Sequence, residues 1–135
     1  MKRLLVGLML LMTATAASAE WTAVDESDRH IQYVDRATIQ RNGNLVKMWD
    51  LKDFKTVKTD AGYSNLSSKT QNEYDCKEEK KRILARTWFD GKMGSGKVVL
   101  DWRLNYTNGN VRGEWTPISP GSSAEALWKI ACGKK

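Results

Sequence analysis

Pro120-Gly-Ser-Ser-Ala-Glu-Ala-Leu-Trp-Lys-Ile-Ala-Cys-Gly133 is the stretch of sequence that decides the fold class. Its apolar residues recur at intervals of three and four and therefore share one face of a helix. Ser122 followed by Glu125 forms a capping box at the start, and Gly133 suits the left-handed conformation that ends helices. The residues on the apolar face are Ala124, Leu127, Trp128 and Ala131. The segment predicts one C-terminal α-helix that packs by this face.

The chain before this helix has the period-two pattern of β-strands. The clearest strand runs from Val98 to Leu104, where apolar and polar residues alternate. Closely spaced strands joined by short turns favour an antiparallel sheet. Further strands are predicted over residues 31–34, 45–54, 68–76 and 83–89, with turns at Asn42-Gly43, Asp60–Gly62, Asp90-Gly91 and Asn108-Gly109. The sequence therefore predicts an α+β fold, a small antiparallel β-sheet with one C-terminal α-helix packed on it.

Residues 1–19 have the order of a secretory signal peptide. Lys2 and Arg3 precede nine apolar residues, and a run of small residues ends in Ala17-Ser-Ala19. The apolar run is shorter than the ~20 residues that a transmembrane helix needs. We therefore expect cleavage after Ala19. The mature chain, residues 20–135, is expected to be a single domain without a transmembrane segment. No Cys follows the small residues, so we expect an exported protein, periplasmic or secreted and not lipid-anchored.

Two cysteines, Cys76 and Cys132, lie 56 residues apart in a chain that is expected to reach an oxidising compartment. Cysteines in such compartments usually pair, so we predict a single disulfide that ties the helix to a strand. The alternative is a reactive thiol or a metal ligand. It is disfavoured because the chain has one His and no C-x-x-C motif. No metal site and no cofactor are expected.

The composition limits the function classes. The chain has 135 residues, 41% of them hydrophobic, and six Trp, which is too apolar for a disordered segment. The formal charge is +6, or +4 without Lys2 and Arg3. Basicity of this size favours anionic partners. We do not expect nucleic acid as the partner, because no nucleic-acid-binding motif is present and the chain is exported.

Most of the excess charge lies between Lys69 and Arg103, with nine basic and six acidic residues. On a regular strand, Lys80, Arg82 and Arg86 would share one face, which Trp88 continues. Basic groups beside an aromatic ring suit a protein or an anionic polymer, so these four residues are the candidate ligand-binding residues. The alternative is a solvated face that serves solubility.

Two motifs could indicate an enzyme, and we reject both interpretations. Residues 91–97 have the G-x4-G-K spacing of a phosphate-binding loop, but Val98 replaces the required Ser or Thr, and the loop joins two predicted strands. His30 lies near several carboxylates, yet nothing specifies a catalytic partner or a pocket. The nearby acidic residues are Asp25, Glu26, Asp28 and Asp35. We predict no catalytic residues and a non-enzymatic protein. Among the Trp residues, Trp102 and Trp128 are expected in the core.

The order of these elements resembles the bacterial surface-adhesin protein E family. The similar pieces are Trp21, Tyr33-Val-Asp35 with Thr38-Ile39, Met48-Trp49 with Leu51 and Asp53-Phe-Lys55, Tyr74-Asp-Cys76, Arg82 with Leu84, Met93-Gly-Ser-Gly-Lys97, Trp115–Ser122 and Ala131-Cys132. The resemblance implies a small antiparallel sheet with a C-terminal helix and a disulfide. It also implies a non-enzymatic adhesin that binds host matrix proteins such as vitronectin and laminin. The binding surface it implies involves residues 68–89.

Two functions follow from the sequence. The first is an exported binding module for a protein or an anionic polymer, with host extracellular matrix as a candidate partner. The second is a soluble periplasmic or envelope structural protein without a host ligand, which the missing lipid-accepting Cys favours. An exposed edge strand would also allow a homodimer.

Overall fold

The computed structural model describes residues 19–103, 106–107, 110–111 and 113–135. They form mostly β-structure with a single α-helix. The strands are β1 (Thr22–Glu26), β2 (His30–Asn42), β3 (Leu45–Asp60), β4 (Tyr63–Asp75), β5 (Lys80–Phe89), β6 (Val98–Arg103), β7 (Tyr106–Thr107), β8 (Asn110–Val111) and β9 (Thr116–Pro117). A 3₁₀ turn spans Lys92–Gly94, and the helix α1 spans Ser123–Cys132.

Strands β1 to β6 form an antiparallel meander in chain order, and β9 pairs with β5 as the seventh strand of this sheet. Strands β7 and β8 pair separately as a two-stranded ribbon. The turns between β2 and β3 and between β3 and β4 contain Gly43 and Gly62, both with positive φ. The predicted antiparallel sheet is confirmed. Strands β2 to β5 are longer than expected, and β6 matches its prediction up to Arg103, beyond which Leu104 lies outside the described residues. Strands β1, β7, β8 and β9 were not predicted. The expected turn at Asn108-Gly109 lies outside the described residues.

Helix α1 covers one end of the sheet. Ser122 caps it by accepting a hydrogen bond from the Glu125 N–H, and Gly133 ends it in the left-handed conformation. Its buried residues pack on apolar side chains of β2, β3 and β4, the fully buried Val34, Val46, Met48 and Tyr74. We call this side of the sheet the helix face. The predicted helix, its apolar face and its Gly133 cap are confirmed. Of the predicted capping box only the Ser122 half forms, because the Ser122 N–H donates to the Ser119 carbonyl and the Glu125 carboxylate pairs with Lys129.

The disulfide is also confirmed. Cys76 follows β4, Cys132 ends α1, and their Cα atoms are 5.5 Å apart. Trp128 is part of the buried core together with Cys132, and its indole N–H donates to the Asp75 carbonyl over 3.0 Å. The last turn of the helix is therefore held to the end of β4 by one covalent bond and one hydrogen bond.

The segment of residues 90–97 folds over the opposite side of the sheet, which we call the loop face. The Met93 N–H donates to Asp53 Oδ1 over 2.8 Å, and the Gly94 N–H donates to Ser67 Oγ over 2.9 Å. Gly94 has a φ of +70°, a conformation that favours glycine, and a Cβ there would lie 2.5 Å from Lys69 Cε and displace that side chain. The segment joins β5 to β6, two strands, which is not the strand-to-helix context of a phosphate-binding loop.

The expectation that both Trp102 and Trp128 lie in the core is half right. Trp128 is 7% exposed, but Trp102 is 43% exposed. The reason is the length of α1. Its ten residues contact β1 to β4 and leave the helix face of β5 and β6 uncovered. The alternation in β6 correctly predicted a strand, but its apolar side faces outward.

Candidate binding surface

A β-bulge in β5 separates the four candidate ligand-binding residues. Ile83 pairs with Asn72 of β4, whereas Ala85 pairs with the next residue, Gln71, so Leu84 is an extra residue. One extra residue reverses the alternation of side chains along the rest of the strand. Lys80 and Arg82 therefore lie on the loop face, and Arg86 and Trp88 lie on the helix face. The expectation of a single shared face is wrong, because it assumed a regular strand.

On the loop face, Arg82 is already engaged. Its guanidinium forms an ion pair with Glu73, its cross-strand neighbour, with an Nε to Oε1 distance of 2.7 Å. The same guanidinium lies 4.5 Å from the ring centre of Trp115. Lys80 is exposed at the start of β5, opposite Pro117 of β9. Arg82 thus stabilises the packing of the loop face, and Lys80 is the only one of the pair with an uncommitted charge among the described residues.

On the helix face, Arg86 belongs to a row that crosses four strands. The cross-strand neighbours in this row are Asp50, Thr70, Arg86 and Trp102. Lys52 lies two residues beyond Asp50 on β3, and Lys81 lies on the same face of β5 before the bulge. The row brings positive charge from β3 and β5 to the region beside the N-terminus of α1.

Two further cations extend this surface toward the other end of β3. Arg29 and Lys58 line the same cavity as Lys52, and Lys58 Nζ lies 5.2 Å from the ring centre of Phe54. Lys52, Lys81 and Arg86 lie on the helix face, and Arg29 and Lys58 lie beside it around this cavity. We name these five cations the basic track.

Three cavities lie along the basic track and share its residues. The first, of about 420 Å³, is lined by Arg29, His30, Lys52, Phe54, Thr56, Val57 and Lys58. The second, of about 270 Å³, lies between Lys52 and Arg86 at the start of α1. The third, of about 290 Å³, is largely apolar and is lined by Ile83, Arg86, Trp88, Leu100, Asp101 and Trp102. Lys52 joins the first cavity to the second, and Arg86 joins the second to the third, so the three form one surface.

None of the basic-track residues takes part in an ion pair with the described part of the chain. The ion pairs there are Lys55–Glu26, Arg82–Glu73, Lys92–Asp53 and Lys129–Glu125. All four lie outside the basic track. The track therefore carries positive charge that no neighbouring carboxylate neutralises by direct contact.

The acidic residue at the centre of the track is Asp50, which is 4% exposed. Its Oδ1 accepts a hydrogen bond from Gln32 Nε2 over 3.1 Å, and its Oδ2 accepts one from Asn72 Nδ2 over 2.9 Å. Burial raises the pKa of Asp50 to about 6, against the lowering effect of these amides and of Lys52 and Lys81. Burial also lowers the pKa values of Lys52 and Lys81, although Asp50 acts to raise them. These groups are held in a partly dehydrated environment.

The raised pKa of Asp50 predicts a pH dependence of stability. Between 3.8 and about 6 the folded state binds more protons than the unfolded state, so the free energy of unfolding falls as pH rises. The total loss is at most about 3 kcal/mol, since each unit of pKa corresponds to ~1.4 kcal/mol. We expect an Asp50→Asn variant to lack this loss because an amide does not titrate in this range. Asn72 can flip its amide to present its oxygen to the new NH₂ group, which keeps the hydrogen bond.

Urea unfolding of the wild type and of Asp50→Asn at about pH 4 and about pH 7 measures this effect. The wild type should lose stability relative to the variant as pH rises. His30 titrates in both proteins, so its contribution cancels in the difference. Parallel pH profiles for the two proteins would show that the Asp50 pKa is not raised.

His30 does not form a catalytic pair within the described residues. It begins β2 and is half-buried against Phe54, with ring centres 6.2 Å apart. Its Nδ1 lies 3.3 Å from Ser27 Oγ, and burial lowers its pKa, an effect that Lys52 reinforces. The imidazole packed on Phe54 is a wall of the first cavity.

No helix in the described ranges is long and apolar enough to cross a membrane. That same part of the chain contains no group of three or more side chains that could hold a metal ion.

Four of the five basic-track residues were not predicted as binding residues from the sequence. Arg29, Lys52 and Lys58 lie outside the stretch of highest net charge, and Lys81 alternates with Lys80 and Arg82 on a regular strand, so it was not among the candidate residues. The signal that unites them is cross-strand pairing, which places β3 beside β4 and β4 beside β5. A local count of charges does not contain that information.

The fold and this surface define a class of protein, a single antiparallel sheet with a disulfide-held C-terminal helix and a basic, tryptophan-bearing face. The sequence profile of the family described as "Surface-adhesin protein E" matches residues 21–133. The chain belongs to this family, as its resemblance implied. No curated protein sequence matches the chain.

Crystal structures of Haemophilus influenzae protein E show the same fold. One crystal form superposes with a TM-score of 0.54 at 12% identity, covering 87% of this chain and 97% of that chain. The selenomethionine form gives a TM-score of 0.53 at 12% identity, covering 86% and 95%. Identity at this level supports the common fold and no residue-by-residue transfer of a binding site.

Proposed function

We propose that this protein is an exported, non-enzymatic binding module that holds an anionic partner on its helix face. The observation that carries the proposal is the basic track, five cations on and beside the helix face without ion-pair partners in the described chain. Positive charge that is not paired with a carboxylate attracts anionic surfaces and speeds their association. Membership of a surface-adhesin family supports the adhesive role.

The third cavity supports the proposal with an apolar contact. Trp102 is 43% exposed, and Trp88 lies beside it across β5 and β6. Trp and Arg are the residues that most often dominate binding energies at interfaces. Arg86 lies at the boundary between the charged and apolar parts, so one partner can contact both. Of the four residues proposed from the sequence, we therefore propose Arg86 and Trp88 as binding residues, use Lys80 in the comparison variant, and leave out Arg82 because it pairs with Glu73.

The experiment measures binding of the mature protein to immobilised vitronectin, laminin, heparin and hyaluronan. A helix-face double variant, Lys58→Glu with Arg86→Glu, is compared with Lys80→Glu plus Lys97→Glu, which changes net charge equally. We expect the helix-face variant to bind at least about tenfold more weakly and with a weaker dependence on salt, and the comparison variant to bind like wild type.

Equal weakening of both variants would assign the binding to net charge and remove the basic track from it. Failure of the wild type to bind any of the four would overturn the proposal.

The exported location is part of the same proposal. We propose that residues 1–19 direct export and are removed, so that the mature chain starts at Glu20. N-terminal sequencing of the native protein together with cell fractionation tests this. Protein confined to the periplasm would favour an envelope role without a host ligand over adhesion.

A further inference from the structure

The second cavity of the basic track is built differently from the other two. It is bounded by Lys52, Lys81 and Arg86 on the sheet and by the first residues of α1. Its volume of about 270 Å³ equals the liquid volume of about nine water molecules, which is room for a group of monosaccharide size.

The charges of this cavity favour a monoanion. Three cations line it, and Asp50 is the single carboxylate among its described lining residues. The first turn of a helix adds backbone N–H groups without intrahelical acceptors and a partial positive charge. The surplus positive charge attracts an anionic group, while the buried Asp50 disfavours a multiply charged one such as phosphate.

The same cavity also presents hydrogen-bond acceptors. Asn72 is 2% exposed and lines the cavity, and its Oδ1 has no hydrogen-bond partner in the described chain. Each oxygen of Asp50 accepts one hydrogen bond and retains a free lone pair. A buried acceptor without a partner is costly, so these atoms suit a ligand that brings hydroxyl donors. A simple carboxylate such as acetate has none.

We propose that this cavity is a subsite for one acidic sugar residue, whose carboxylate is bound by Lys81 and Arg86 and whose hydroxyls donate to Asp50 and Asn72. Trp88, next to Arg86 in the adjoining cavity, offers an aromatic surface to the following part of the glycan. The inference rests on the proposed function and names the chemical class of its partner. A free sugar acid and a residue within a polysaccharide present the same chemistry.

The test uses the mature protein and titrates it with glucuronate, glucose, acetate, phosphate and N-acetylglutamate, followed by amide NMR shifts. We expect glucuronate to shift the signals of Ser123 and Ala124 and the other probes to bind more weakly. Lys81→Met should weaken glucuronate binding about tenfold, since a hydrogen bond to a charged group contributes that much affinity. The matched control is Lys80→Met, the adjacent lysine on the opposite face, which should leave binding unchanged.

Absence of glucuronate binding by the wild type would overturn the subsite, as would equal weakening by Lys80→Met. Equal binding of N-acetylglutamate would assign the cavity to an acidic peptide instead, and equal binding of phosphate or acetate to a general anion. The two kinds of probe separate the two proposals, because glucuronate tests the subsite and the four macromolecules, hyaluronan among them, test the whole surface. If the helix-face double variant loses binding to the four macromolecules while glucuronate does not bind the wild type, the proposed function stands without the subsite.

Discussion

Removal of the Cys76–Cys132 disulfide should lower the free energy of unfolding by about 4 kcal/mol. The bond closes a loop of 56 residues, and the chain-entropy model gives a stabilisation of that size for such a loop. It also holds the last turn of α1, whose buried residues supply one side of the core. A domain of this size has a total stability of ~5–15 kcal/mol, so the loss is a large fraction.

The measurement is urea unfolding of the wild type and of a Cys76→Ser, Cys132→Ser double variant, each with and without dithiothreitol. The reductant should destabilise the wild type to the level of the variant and leave the variant unchanged. A loss below about 1 kcal/mol would mean that packing alone holds the helix and that the unfolded chain gains little freedom without the bond.

Truncation of Trp128 to Ala should destabilise the protein by about 3–5 kcal/mol, the usual cost of removing a buried aromatic side chain. The change leaves a cavity between α1 and the sheet and removes the hydrogen bond to the Asp75 carbonyl. Trp102→Ala is the matched control. Since that ring is 43% exposed, its loss should cost well under half as much.

Thermal and urea unfolding of both variants, followed by far-ultraviolet circular dichroism, gives the two values. A Trp128→Phe variant separates packing from the hydrogen bond, which should account for about 1 kcal/mol. Similar losses for Trp102→Ala and Trp128→Ala would contradict the description of β6 as uncovered on the helix face.

The parts of this fold that were predictable from the sequence are those fixed by neighbours along the chain. The helix and both of its caps depend on spacings of three and four residues, from Ser122 to Gly133. The turns depend on adjacent residues, as at Asn42-Gly43. The disulfide followed from the compartment and from the presence of two cysteines, and the family from the order of many short pieces.

The parts that were not predictable depend on contacts between distant strands. The exposure of Trp102 depends on where a ten-residue helix stops covering the sheet, which no pattern within β6 encodes. Lys52 and Lys81 come together only because two intervening pairings bring β3 near β5. The side on which Arg86 lies depends on one unpaired residue, Leu84, whose presence is visible only against β4.

The extra residue at Leu84 also affects how members of this family can be compared. In a homologue without it, every later position of this strand would face the other way, so an arginine aligned with Arg86 would be on the far side of the molecule. At 12% identity a gap of one residue is easily misplaced. Column-by-column conservation of charge in β5 is therefore an unreliable guide to shared ligands, and structural superposition around Leu84 must come first.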